Sequence, residues 1–271
     1  MKKAAFIGVG NMGGALARAA CRAIGPEQVV LVNRTPAKAE ALAAELGCAV
    51  AKSNADAVRG AEYIFLGVKP QMMRPLLNTL APVLAECSES RVLVSMAAGL
   101  RIGDMRPHLR GAGDDVPIVR IMPNTCVAIG KGMTAISTDE WWDESVFEGV
   151  EEILSATGKV ELISEDLMDQ FSAVAGCGPA FVYPYIEALA DGGVMTGLPR
   201  KQAVEYAAQM VLGAAAMILE SGKHPGRLKD EVCSPGGSTI AGVAELERGG
   251  LRAAAINAVL AAYKRGTELG K

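Results

Sequence analysis

Aromatic residues are scarce, at 4% of a 271-residue chain, and histidine occurs only as His108 and His224. So few rings imply an aliphatic, alanine-rich core, since hydrophobic residues still make up 50%. Two histidines make a histidine acid–base role improbable, and His224, just before Pro225, reads as a residue that fixes a loop. Basic excess is absent too: the formal net charge is −3. Nucleic acid and anionic membranes both require a basic face, so neither is an expected partner. No apolar run looks long enough to span a bilayer, the longest candidate, Met210 to Leu219, being half of the ~20 residues needed. The six cysteines, at 21, 48, 87, 126, 177 and 233, form no CxxC pair. They read as reduced thiols of a cytoplasmic protein, not as a disulfide framework or a zinc site, and no metal is expected. The start, Met-Lys-Lys-Ala-Ala-Phe-Ile-Gly, has too short an apolar stretch and no cleavage site, and reads as a first β-strand, not a signal peptide. Internal repeats and low-complexity tracts are missing. The length allows one large or two modest domains with a real core.

What is present is concentrated in a few glycine-rich stretches. Lys3 to Val9 is an apolar strand, Gly8-Val-Gly10-Asn-Met-Gly13 follows, and a helix runs to about Ile24. Between a strand and a helix, a GxGxxG motif is a dinucleotide fingerprint. Gly8 allows the tight turn, Gly10 lets the backbone approach a pyrophosphate, and Gly13 lets helix pack on strand. Ile7, Gly8, Val9, Gly10, Asn11, Met12 and Gly13 are therefore the expected cofactor loop. A second strand, Gln28 to Val32, leads into Asn33, Arg34 and Thr35, where an NAD-preferring site would carry Asp or Glu. An arginine and a hydroxyl suit a 2′-phosphate, so the cofactor is read as NADP (NADPH), with NADH at lower preference; the alternative is that Arg34 is a solvated loop charge.

Alternation continues: helix Ala37 to Leu46, short strand Cys48 to Ala51, helical turn Ala55 to Arg59, and an apolar strand Tyr63 to Val68. Pro82 to Cys87 leads out of a further helix, and strands follow at Val92 to Met96 and Ile118 to Met122. Met133 to Ser137 and Lys159 to Ile163 read as late edge strands, with a helix near Val146 to Ala156 between them. Ligands bind at the carboxyl ends of strands in such sheets. Val68, Lys69 and Pro70, then Ala97 and Ala98, and Asn124 are candidates by that position, with the small residues leaving room for a nicotinamide ring.

From about Glu165 helices take over: Glu165 to Ala175, one starting at Pro179 after the Gly176-Cys177-Gly178 break, one from Pro199 to about Glu220, and a last one from Leu251 to Leu269. The face with Ala207, Val211, Ala215 and Ile218 is small and apolar, which permits close helix approach and suggests interlocked subunits; a monomeric bundle packed on the sheet is the alternative. The expected architecture is an α/β Rossmann-type doubly wound sheet over 1–164 plus an all-α C-terminal dimerisation domain over 165–271. Within the second half, Lys229 to Ile240 breaks the helical run. Pro235, Gly236 and Gly237 cannot continue a helix comfortably, and Ser238 and Thr239 offer N-cap chemistry to the helix that follows. A glycine-lined turn opening onto a helix N-terminus can hold a small anion such as a carboxylate; a plain capped helix start is the bland alternative.

These residues resemble the pyrroline-5-carboxylate reductases, which carry out the last step of proline biosynthesis. The resemblance spans the chain. It rests on Phe6-Ile-Gly-Val-Gly-Asn-Met-Gly13, Val68-Lys-Pro70, Met122-Pro-Asn-Thr125, Ala175-Gly-Cys-Gly-Pro-Ala180, Ala188-Leu-Ala-Asp-Gly-Gly193, Gly197-Leu-Pro199, His224-Pro-Gly226 and, most specifically, Asp230-Glu-Val-Cys-Ser-Pro-Gly-Gly-Ser-Thr-Ile240 running on to Glu247. Cys126 stands where the family usually has proline, and Cys177 where it usually has serine. The resemblance implies L-1-pyrroline-5-carboxylate as the small-molecule substrate, bound by Ser234, Gly236, Gly237, Ser238 and Thr239. It implies Asn54 as a cofactor ribose or phosphate contact, hydride addition to the C=N carbon, and a homodimer or a higher homo-oligomer of dimers. Thr239 is the candidate proton donor to the ring nitrogen. Two rivals remain: an NADP enzyme of the 6-phosphogluconate or 3-hydroxyacid dehydrogenase type, opposed by the absence of lysine between Pro179 and Pro199, and a non-catalytic NADP-binding protein, which would not need the Pro235 to Thr239 turn.

Overall fold

A strand covered by helices on both faces must be apolar where it is covered, and β1 (Lys2–Ile7), after two half-buried lysines, buries Ala4, Ala5, Phe6 and Ile7. The structure is a computed structural model and describes residues 1–89, 91–112, 116–138 and 144–269. After β1 come α1 (Asn11–Ile24), β2 (Val29–Val32), α2 (Pro36–Leu46), β3 (Ala49–Val50), α3 (Asn54–Gly60), β4 (Ala61–Leu66), α4 (Pro70–Ala85) and β5 (Val92–Ser95). The short α5 (Ile102–Met105) precedes β6 (Ile118–Pro123), β7 (Gly132–Thr138), α6 (Glu144–Leu154) and β8 (Gly158–Leu162). α4 runs through both Pro75 and Pro82, so the helix read as ending at Pro82 continues past it.

The strands form one eight-stranded sheet in the order β3-β2-β1-β4-β5-β6-β7-β8. Pairing is parallel from β3 to β6; β7 is antiparallel to β6, and β8 is parallel to β7. The order reverses direction between β1 and β4, which makes a crevice outside their carboxyl ends. β7 was expected at an edge. It lies inside, because β8 pairs along it from Gly132↔Gly158 to Ile136↔Leu162. Two apolar cores fill the faces. One joins Phe6, Leu16, Ala17, Leu31, Phe65 and Val94, with the Phe6 and Phe65 rings stacked at 4.6 Å. The other joins Ile7, Ile64, Leu66, Met73, Leu77, Leu93 and Ala97. Cys21 and its neighbour Cys48 are free thiols, and burial, helped by Cys48, pushes the Cys21 thiol up to about 12, so it is inert at neutral pH.

The single helix expected over Glu165 to Ala175 is instead three short turns: a tight one at Glu165–Leu167, α7 (Met168–Phe171), and a widened π turn at Ser172–Gly176. Proline at 179 is the physical cause at its far end, since it has no N–H for the carbonyl four residues back. α8 (Gly178–Met195), α9 (Arg200–Ser221), α10 (Pro225–Glu231), α11 (Ser238–Arg248) and α12 (Leu251–Leu269) follow. His224 is more than a loop residue: its Nδ1 accepts from the Gly226 amide at 3.1 Å and caps α10.

Contacts divide the chain into two compact units, one of Met1–Gly176 with the segment from Tyr263 onward, the other Cys177–Ala262. In the helical unit the expected close approach occurs between α8 and α9. A Cβ on Gly193 would lie 3.3 Å from that of Ala203, and Ala190, Ala203 and Ala207 are buried. Much of the rest is open and apolar, with Met195 89%, Leu219 78%, Ile256 59% and Leu260 59% exposed. Surfaces of this kind mark association sites. The bilayer reading needs correction: α9, with 22 residues, is long and apolar enough to cross a membrane by length and composition.

Candidate active site

Glycine at three positions lets the chain close on itself at the crevice between β1 and β4. Gly8 has φ +97°, a conformation that costs other residues dearly. Its amide donates to Val32 O (2.9 Å), and the Gly67 amide donates to Ile7 O (2.8 Å). A Cβ on Gly13 would sit 2.1 Å from Gly8 O, and one on Gly67 would sit 2.3 Å from the same atom. Gly8, Gly13 and Gly67 therefore form one contact that fixes α1 against the strand ends. Gly10 differs: a Cβ there would meet nothing within 4 Å. It is the N-cap of α1, which has neither a side-chain cap nor an acidic residue in its first turn. The first-turn amides and the positive end of the dipole therefore face open space, the arrangement that holds a phosphate group.

Asn33 ties the glycine loop to the end of β2: Val9 N donates to its Oδ1 (3.1 Å), and its Nδ2 donates to Thr35 O (3.1 Å). Arg34, between these anchors, is exposed and has no ion-pair or hydrogen-bond partner among the described residues. Thr35 precedes Pro36 as the N-cap of α2 without a side-chain bond. Asn54 is the first residue of α3, whose cap is Ser53, accepting from Asp56 N at 3.1 Å. Lys69 is exposed at the start of α4, between half-buried Val68 and exposed Pro70.

Two candidates read from strand ends change character. Ala97 is 2% exposed and packs in the second core, so it offers a ligand no surface; its neighbour Ala98 is exposed. Asn124 is buried and fully engaged. Its Oδ1 accepts from Cys126 N (3.2 Å) and Met133 N (3.4 Å), and its Nδ2 donates to Ala175 O (3.0 Å). Sequence reasoning missed Gly67, although a glycine directly after an apolar strand was a usable signal. It also missed Arg120, a 2%-exposed cation on β6 that meets Glu165 Oε1 at 3.3 Å and Asp169 Oδ1 at 3.8 Å. Glu165 Oε1 also accepts from Ile102 N at 2.8 Å, so this cluster fastens the segment after β8 beneath the sheet.

In the helical unit, Ser234 to Gly237 form a tight turn. Gly237 N donates to Ser234 O at 3.0 Å. Pro235 supplies the fixed φ, and Gly236 the positive φ of +68°, the residue pattern of a type II turn. A Cβ on Gly237 would lie 2.4 Å from Ser234 Oγ. The N-cap expectation for Ser238 and Thr239 fails: Gly237, extended at φ −77° and ψ 169°, is the cap, and no side chain caps α11. A glycine cap places both hydroxyl residues in the first turn, where they are exposed and their hydroxyls have no hydrogen-bond partner among the described residues. Nearby charges are used elsewhere. The Asp230 hydrogen bond raises the Lys229 pKa, and Lys223, then Arg227, hold the Glu231 carboxyl below the usual range. An anion at this turn would meet backbone amides and hydroxyls.

Known proteins with the same organisation share both halves. The family profile described as pyrroline-5-carboxylate reductase dimerisation matches residues 165–269, and that described as NADP oxidoreductase, coenzyme F420-dependent, matches residues 3–99. The pyrroline-5-carboxylate reductase of Pisum sativum is 40% identical over 97% of this chain and 94% of its own. A solved pyrroline-5-carboxylate reductase from Coxiella burnetii superposes with a TM-score of 0.90 at 31% identity, covering 100% of this chain and 99% of that one. The Plasmodium falciparum pyrroline carboxylate reductase, solved with NADP bound, gives 0.84 at 30% identity, covering 100% and 98%. Glycine-loop sheet and helical half thus occur together over full length in these relatives, and this chain belongs to the pyrroline-5-carboxylate reductase family.

Proposed function

We propose that this chain reduces L-1-pyrroline-5-carboxylate to L-proline, using NADPH in preference to NADH, as a cytoplasmic homodimer or a homo-oligomer of dimers. The observation that carries the reading is the start of α11, capped by Gly237 with no side-chain bond, where the first-turn amides and two hydroxyls have no side-chain partner among the described residues. The amides of Gly237, Ser238 and Thr239 and the dipole of an 11-residue helix receive the substrate carboxylate. The open space at Gly10 admits the cofactor pyrophosphate to the first turn of α1, while Arg34, held out by the Asn33 bonds, and Thr35 take the 2′-phosphate. Bound NADPH supplies a hydride from C4 of its nicotinamide. Thr239 Oγ1 then donates its hydrogen bond to the ring nitrogen as electron density moves onto it from the C=N bond. The amine proton comes from solvent, which protonates the imine before hydride transfer and makes its carbon a better hydride acceptor; orientation with fixed dipoles supplies most of the rate.

The deciding assay is NADPH oxidation with pyrroline-5-carboxylate, beside the six-membered cyclic imine and a 3-hydroxyacid pair. Turnover is expected with the five-membered ring; turnover with the hydroxyacid alone would place the chain with the 3-hydroxyacid dehydrogenases.

Arg34→Ala should raise the KM for NADPH roughly 10- to 150-fold, the loss of one charge-assisted hydrogen bond, and leave that for NADH nearly unchanged. Equal weakening of both cofactors would remove Arg34 from 2′-phosphate recognition. For assembly, the exposed apolar residues of α9 and α12 predict a dimer or larger particle by light scattering at assay concentration. A fully active monomer would contradict this.

A further inference from the structure

Asn124 sits at the carboxyl end of β6, where a ligand contact was expected, yet every polar atom of its side chain is spent inside the protein. The Oδ1 bonds close the turn at Thr125–Ile129 and the start of β7. The Nδ2 bond reaches 51 residues along the chain to Ala175 O. That carbonyl has a specific need. In a regular helix its donor would be the amide of residue 179, but Pro179 has none. The next amide, that of Ala180, points to Cys177 O at 3.0 Å. A partly buried carbonyl without a donor costs free energy, and Asn124 provides the donor. Ala175 lies in the π turn Ser172–Gly176, and single π turns are frequent at functional sites. Gly176 is also the last residue of the sheet unit before the chain passes into the helical unit at Cys177.

We propose that Asn124 is a positioning residue: by donating to Ala175 O it fixes the backbone at the point where the chain leaves the cofactor-binding unit, and thereby sustains the rate of hydride transfer. The proposal rests on the reductase reading above, in which the cofactor cradle belongs to one unit and the substrate turn to the other. Neither cradle contains Asn124, so its loss leaves both binding steps intact and slows the step that needs both ligands at once. The Cys126 amide donates to Asn124 Oδ1 at 3.2 Å and helps to hold the side chain in this orientation.

The test is Asn124→Asp, which keeps both acceptor bonds and loses only the donor to Ala175 O. Hydrogen exchange of a peptide spanning residues 172–180 should quicken. The kcat for pyrroline-5-carboxylate should fall by about tenfold, the worth of one hydrogen bond, with the substrate KM and the NADPH Kd unchanged. Asn124→Ala provides a second variant without an added charge, should the carboxylate prevent folding; the same split is expected, with a lower Tm. A parental kcat in a folded variant overturns the proposal, as does unchanged exchange. An NADPH Kd that weakens in step with kcat would also overturn it and make Asn124 the cofactor contact its position suggests. If the parent itself fails to turn over pyrroline-5-carboxylate, the reductase reading fails, and the exchange comparison still decides whether Asn124 holds the linking backbone.

Discussion

Gly13→Ala is expected to lose cofactor binding and thermal stability together. The added methyl carbon would lie 2.1 Å from Gly8 O, far inside contact distance, and its neighbour is backbone that cannot rotate away. Either α1 tilts off the sheet or the Gly8 turn, already at φ +97°, is pushed out, and Gly67 blocks that retreat because it packs on the same oxygen. Overpacking of this kind costs about 1–3 kcal/mol, a fall in Tm of about 2–10 °C for a domain of this size. NADPH affinity should drop by well over tenfold, since the displaced first turn carries the phosphate-facing amides. Gly10→Ala separates the two causes. Its φ of −70° is ordinary for alanine and its methyl would meet no protein atom, so Tm should stay near the parent's while NADPH binding is lost to a methyl in the pyrophosphate's place. Circular dichroism melts and fluorescence titration with NADPH read both. A Gly10→Ala protein that binds NADPH normally would show that the pyrophosphate lies elsewhere.

Thr239→Ala is expected to lower kcat by about 10- to 150-fold, the range for one hydrogen bond to a charged group, with a smaller change in substrate KM. Its amide remains to hold the carboxylate; what disappears is a hydroxyl bond that strengthens as the ring nitrogen becomes an amine, and so belongs to the transition state. The structure makes this hydroxyl available, because Gly237 caps α11 and leaves Thr239 without a capping duty. Thr239→Ser should retain most activity, and both variants should bind NADPH as the parent does. Parental turnover by Thr239→Ala would reduce the turn to an anion cradle.

The backbone paths of both candidate sites were legible in the sequence because each is made of residues close together in the chain. An apolar strand, GxGxxG and a helix fix a local backbone path whatever surrounds it, and Ser-Pro-Gly-Gly must turn where it stands. Strand and helix boundaries were read within a few residues for the same reason, since burial on both faces makes β1, β4 and β5 apolar over most of their length.

Other features depend on which distant residues meet. Gly67 matters only because β4 pairs with β1, which brings it against Gly8 and Gly13. Ala97 was read as lining a pocket, but it is buried in the same core as Leu100, Ile102 and Met105. Asn124 stood where ligands bind, and a carbonyl orphaned by Pro179 claimed its amide instead. Period, turn chemistry and glycine placement, all local backbone preferences, determined the two-part architecture, the glycine loop before α1 and the Pro235–Gly236 turn before α11 by themselves. The tertiary structure alone decided which glycines are in contact, which polar side chains are free, and that β7 is interior. Those outcomes depend on long-range packing and on satisfying buried hydrogen-bond groups, and no window of sequence contains both partners.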